Sequence, residues 1–281
     1  MRLLSFLFII CTLTSAFPQS AKEFKNKIFL KKLNNDTSYV NLKKKVVSEF
    51  TNAKPGRWGM FVKGVDEDLN TKQKYIAFTF DACGGERGKG YDKELIDFLH
   101  KEKIPATLFV TGKWIDSHFV TFLSLSKDTL FEIENHGFNH KPCSINGESK
   151  FGINGTSNVG EAFEEIEANA RKIEAIIHYR PVYYRSATAF VDEASARLAN
   201  ELDITVVSFQ VISCDAMPLV SDSLIISNVI KNIKPGAIVI MHFNHPEWNT
   251  YEAMQKIVPK LRKMGYHFVR LNEFSLIEKK R

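Results

Sequence analysis

Across its 281 residues the sequence shows no apolar run long enough to cross a bilayer, no internal repeat and no low-complexity tract. Its longest apolar stretch, Leu3 to Leu13, falls short of the roughly 20 residues that a spanning helix needs, which excludes a stable membrane span by such a helix. Nucleic-acid-binding signatures are also missing. The net charge of +6 lies partly in runs such as Lys43-Lys44-Lys45 that read as solvated faces, so nucleic acid is not an expected partner. Cysteine is scarce: there are four, and Cys11 sits inside the apolar N-terminal run. The remaining Cys83, Cys143 and Cys214 are odd in number, which excludes a fully paired disulfide framework.

What is present at the N-terminus is a positive start, Met1-Arg2, then the short apolar run, then small Thr14-Ser15-Ala16. This is the pattern of a signal peptide over residues 1–16. It leads us to expect a secreted protein, periplasmic or extracellular, and a monomer. Residues 17–70 are polar and lysine-rich and read as an N-terminal tether and lead-in, with one helix over 39–50. Residues 71–281 read as one folded domain, long enough to bury one large core.

From Lys74 onward, strand-like runs alternate with helical ones. Strands are predicted at 75–80, 106–110, 130–133, 204–209, 237–241 and 265–269, and helices at 92–101, 159–177, 192–202, 224–233 and 251–264. This alternation implies an α/β fold with mostly parallel strands. The number of repeats favours a distorted (β/α) barrel, in which chemistry gathers where the strands' C-terminal ends meet the loops. Asp81, His136, Asp215 and His242 each follow a predicted strand and so converge on one rim.

His136-Gly137-Phe138-Asn139-His140 sets two imidazoles four residues apart, a spacing suited to a transition metal. Asp81 ends a buried strand and is followed by glycines, as a general base acting on a water would be. His242 ends the apolar strand 237–241 and suits a general acid. Trp248 and Tyr251 follow it closely and offer aromatic faces on which a bound substrate could stack.

Taken together these motifs resemble the NodB-homology polysaccharide deacetylases, carbohydrate esterase family four, over about residues 74–274. Thr79-Phe80-Asp81 matches the start of the family's first motif, His136 and His140 the histidines of the second, and Ile240-Met241-His242 the last. Tyr184-Arg185 keeps only the arginine of the third, and Cys214-Asp215 only the aspartate of the fourth. The resemblance implies a NodB-type distorted barrel that hydrolyses the N-acetyl group of a polysaccharide built from N-acetylglucosamine-type sugars. It also implies a divalent metal, with zinc the expected ion, on His136 and His140. By the same resemblance Asp81 is the base, Arg185 holds it, Asp215 orients His242, and the Thr188 amide helps hold the oxyanion.

Two departures stand out. The second aspartate of the first motif is the family's third metal ligand, and here that position is Ala82. Asp81 itself, Cys83 or a carboxylate such as Glu86 could substitute, or Cys83 could instead pair with Cys143 in a disulfide. The hydroxyl residue of the second motif is here Gly137. A saccharide-binding relative of weak activity and an O-acetyl-glycan esterase are the alternative readings.

Overall fold

The computed structural model describes residues 21–86 and 88–278; the signal-peptide reading and Cys11 lie outside the described residues. Nine parallel strands form one sheet. Its path runs Val211–Ile212, Ile238–His242, Tyr75–Ala82, Ala106–Val110, Phe131–Asn135, Tyr183–Tyr184, Thr205–Val207 and Val65–Asp66, with His267–Val269 pairing alongside Tyr75–Ala82. The two ends of this path do not pair with each other. The result is an incomplete, distorted barrel wrapped by helices, as the alternation of elements predicted.

Period-2 alternation in the central strand decides what faces where. Ile76, Phe78, Phe80 and Ala82 point into the core between sheet and helices, packing with Leu95, Val110 and Trp114. Each fully buried phenylalanine contributes about 1.5–3 kcal/mol of hydrophobic stabilisation. The other face carries Thr79 and Asp81 into the barrel interior, where both meet Arg185.

The stretch read as a tether is packed structure. The short 3-10 turn Ala21–Phe24 and helices Asn26–Leu33 and Thr37–Glu49 bury Phe24, Phe29, Leu33, Tyr39 and Val46 in a second apolar cluster with Phe138, Phe163 and Ala170. Those apolar residues are spaced widely among lysines, so composition hid the buried stripe. Asp36 caps the second of these helices, accepting from the Ser38 and Tyr39 amides. Val65–Asp66 supplies an edge strand of the sheet.

Other differences have equally local causes. The strands Val65–Asp66, Tyr183–Tyr184 and Val211–Ile212 are two residues each, too short for any period to register. Phe119–Lys127 is helical although its composition is aromatic and β-branched; tertiary packing overrides propensity there. The predicted helix over 159–177 is continuous but not regular. A π-helical segment, Glu164–Ala168, joins α-helical Val159–Phe163 to Asn169–Ile177.

Candidate active site and metal centre

The strand exits converge as the sequence implied. A cavity of about 510 Å³ is lined by Asp81, Cys83, His136, His140, Asp215 and His242, with Thr188 and Trp248 beside them. Apolar side chains, among them Met60, Phe151, Phe209, Ile212 and Met217, form its walls.

Asp81 and Arg185 are the buried centre of the site. Arg185 Nη1 donates to Asp81 Oδ1 at 2.8 Å and to Thr79 Oγ1 at 2.8 Å. Its other nitrogens donate to the Ser208 carbonyl at 2.8 Å and the Val207 carbonyl at 3.3 Å, and its Cζ lies over the Phe109 ring, 4.3 Å from the centroid. With four of its five N–H donors engaged, the guanidinium fixes one carboxylate oxygen and leaves Oδ2 facing His136 Nε2 at 3.7 Å.

The same arginine orients the first histidine. The Arg185 carbonyl lies 2.8 Å from His136 Nδ1, so that nitrogen carries the proton and Nε2 presents its lone pair to the cavity. Burial pulls the His136 imidazole down, but Asp81 and its hydrogen-bond partners outweigh this and leave it raised.

His140 is positioned by its loop. Its backbone is left-handed, with φ of 58°, and two backbone amides that flank it, those of Asn139 and Lys141, donate to Glu165 at 3.0 Å. Glu165 lies on the π-helical segment, whose wider turn carries this buried carboxylate beneath the loop. That explains Gly137, where φ is +92°: a Cβ there would collide with Glu165 Oε1. The loop is therefore braced from below by a carboxylate. Glu165 escaped the sequence reading because nothing in a helical pattern marks a π turn.

His140 Nε2 is buried and has no hydrogen-bond partner, a costly arrangement unless something outside the chain uses it. Cys83, His136 and His140 place their donor atoms within 4.8 Å of one another, and they are the one such group of three among the described residues. An orphaned imidazole nitrogen, an imidazole held in its ligating tautomer and a thiol fit a divalent metal ion.

The acid end is a second constellation. Asp215 Oδ1 lies 3.0 Å from His242 Nδ1, and Oδ2 accepts from the His242 amide at 2.7 Å. Ser213 and Thr250 hydroxyls complete the carboxylate's shell at 2.9 and 3.2 Å. Burial lowers the His242 pKa, yet Asp215 overcomes it and raises the imidazole well above its ordinary value. Trp248 meets the His242 ring edge-on at 5.6 Å and stacks on His245 at 3.7 Å.

Thr188 lines the cavity from a strained turn, with φ of 62° there and 59° at Ala189. Tyr251 does not reach the cavity. It lies on helix Thr250–Lys263 and packs edge-on against Phe98 at 6.1 Å, because its face of the helix turns toward helix Lys93–Lys101 and the core. The Cys83–Cys143 disulfide is also corrected. Cys83, Cys143 and Cys214 are all free; Cys83 faces the cavity, whereas Cys143 is buried behind it with Sγ 3.9 Å from the Ala162 carbonyl. Glu86 is exposed and outside the donor group.

Residues 68–207 match the family model described as polysaccharide deacetylase, and the chain belongs to that family, several of whose curated relatives are deacetylases of the N-acetylglucosamine or N-acetylmuramic acid of peptidoglycan. The chain is 27% identical over 210 residues to a peptidoglycan-N-acetylglucosamine deacetylase of Bacillus cereus, covering 73% of this chain and 90% of that one. Another curated relative is spanned over only 56% of its length. Among solved structures, BA3943 of Bacillus anthracis, described as a CE4 family pseudoenzyme, superimposes with a TM-score of 0.62 at 20% identity, covering 75% of this chain and 67% of that chain. A family 4 acetyl xylan esterase from Clostridium thermocellum, solved with a cobalt ion, gives 0.58 at 24% identity over 71% of this chain and 89% of its own.

Proposed function

We propose that this protein is a metal-dependent N-deacetylase of polysaccharides built from N-acetylglucosamine-type sugars, exported to act on a cell-envelope glycan. The observation that carries the reading is the juxtaposition in one cavity of a fixed carboxylate, Asp81, a three-donor group and an acid pair, Asp215 with His242. A single hydrolytic cycle needs each of the three.

His136 and His140, with Cys83 as third donor, would hold the ion, which when bound supplies Lewis acidity toward the acetamide carbonyl. Asp81 acts as general base: Oδ1 is occupied by Arg185, and Oδ2 accepts the proton of a water that attacks the carbonyl carbon. The Thr188 N–H donates to the oxyanion that develops. His242 then gives its proton to the departing sugar amine. Trp248 offers a flat apolar face to the sugar at the mouth.

The acid's role has a pH signature. Asp215 raises the His242 pKa, so the imidazolium persists through neutral pH and activity is lost only as pH rises past that value. Removing the carboxylate lowers the pKa, and the acid deprotonates earlier. Asp215→Asn is therefore expected to move the alkaline limb of the kcat profile down by about 1–3 pH units. An unmoved limb would exclude His242 as the titrating acid.

The function itself is tested by acetate release from chitin oligomers and from peptidoglycan, using purified, zinc-loaded protein. Release from either, abolished by chelation and restored by zinc, is expected. No acetate from both substrates under metal-replete conditions would overturn the reading.

A further inference from the structure

The alanine in the first motif is not a gap in the site, because position 82 does not face it. Ala82 shares the core-directed face of its strand with Phe78 and Phe80 and is fully buried among apolar side chains. The next residue returns to the cavity side, so Asp81 and Cys83, two apart, both line the pocket as the strand period requires.

The chain also fixes where Cys83 sits. Thr111 Oγ1 donates to the Cys83 carbonyl at 2.8 Å while accepting from the Trp114 amide at 3.0 Å. Gly84 follows with φ of +72°, its backbone so close to the Trp114 amide that a Cβ would not fit. The loop is thereby folded back to present the thiol. Its Sγ lies 4.0 Å from His136 Nε2, a separation that leaves room for an ion bonded to both, and His140 Nε2 completes the group without any other partner.

Asp81, by contrast, has Oδ1 committed to Arg185 and is not among the three clustered donors. Cys214 lines the same cavity but is not in the group either.

We propose that Cys83 thiolate, His136 and His140 are the protein's three metal ligands, that Asp81 stays off the ion as a free base, and that the sulfur selects zinc or cobalt over magnesium or calcium. The assignment rests on the deacetylase reading only for its expectation of a metal. The selectivity follows from donor chemistry: thiolate and imidazole suit zinc and its neighbours, whereas magnesium and calcium want oxygen.

The experiment is spectroscopic and independent of turnover. Metal-free protein is titrated with Co²⁺ and followed in the near-ultraviolet, where a sulfur-to-cobalt charge-transfer band reports a thiolate ligand. Wild type is expected to show the band at one equivalent, and Mg²⁺ not to compete. Cys83→Ser, which changes one atom, is expected to lose the band and to bind Co²⁺ more than about 100-fold more weakly, beyond the loss that removing an outer hydrogen-bond partner causes. Asp81→Asn is expected to keep it. Cobalt bound by wild type without the band, Cys83→Ser binding as tightly as wild type, or loss of the band in Asp81→Asn would each overturn the assignment. A sulfur band without acetate release would instead count against the deacetylase reading alone, and acetate release without the band against the ligand set alone.

Discussion

Asp81→Asn is expected to lower kcat by about a thousandfold, within the range that a positioned general base supplies, with cobalt or zinc binding unchanged. Asparagine fits the space and its Oδ1 still accepts from Arg185, but it cannot take the proton of an attacking water. The substitution also leaves the buried guanidinium without its counter-charge, so a thermal shift to lower Tm will accompany the rate loss. The two effects are separable by measuring kcat below the unfolding transition and normalising to folded protein. A variant that is fully folded and metal-loaded yet retains wild-type kcat would remove Asp81 from the reaction.

The complementary change, Arg185→Met, is expected to cost about 3–5 kcal/mol of stability, the penalty for stranding one member of a buried ion pair. Urea unfolding would measure it. Arg185 donates to Asp81, Thr79 and the carbonyls of Val207 and Ser208, so its loss strands acceptors on two strands, Tyr75–Ala82 and Thr205–Val207, and on the residue that follows the second. The backbone carbonyl of residue 185 that orients His136 stays in this variant. The Asp81→Asn, Arg185→Met double variant is expected to be less destabilised than the sum of the two single changes, because no uncompensated charge remains. Strict additivity would mean that the two side chains act independently.

How much of this was legible in the sequence depended on the range of each interaction. The long strands Tyr75–Ala82 and Ile238–His242 announce themselves by apolar runs, and the polar residue ending each run is the one that reaches the cavity. Asp81, His136, Asp215 and His242 could thus be placed on one rim before any coordinates. Ala82 was misleading for the opposite reason. Read by position it is a missing ligand, whereas read by strand period it is a core residue, and only the register of the strand shows which side faces the metal. Tyr251 failed because nearness in sequence to His242 says nothing about which face of a helix points inward. The support under His140 could not be read at all. It depends on a carboxylate 25 residues away, aimed by a turn whose hydrogen bonding leaves no mark in hydropathy.

That widened turn at Glu164–Ala168 has a consequence for how this helix tolerates change. Its first half packs toward the loop that bears His140, while its second half sends Asn169 to the Val110 carbonyl and to Asn135, and Lys172 to the Gly112 carbonyl. Each residue of an α-helix advances about 100° around the axis. A π turn spends one residue more than an α turn on about the same rotation, so forcing all of these residues into a regular α-helical ladder would swing one half away from its partners by about that angle. The helix would accept the regular ladder and the site would not. The widened turn thus absorbs one residue while keeping the two surfaces in phase, and Ile166, Glu167 and Ala168 between Glu165 and Asn169 are all buried in it.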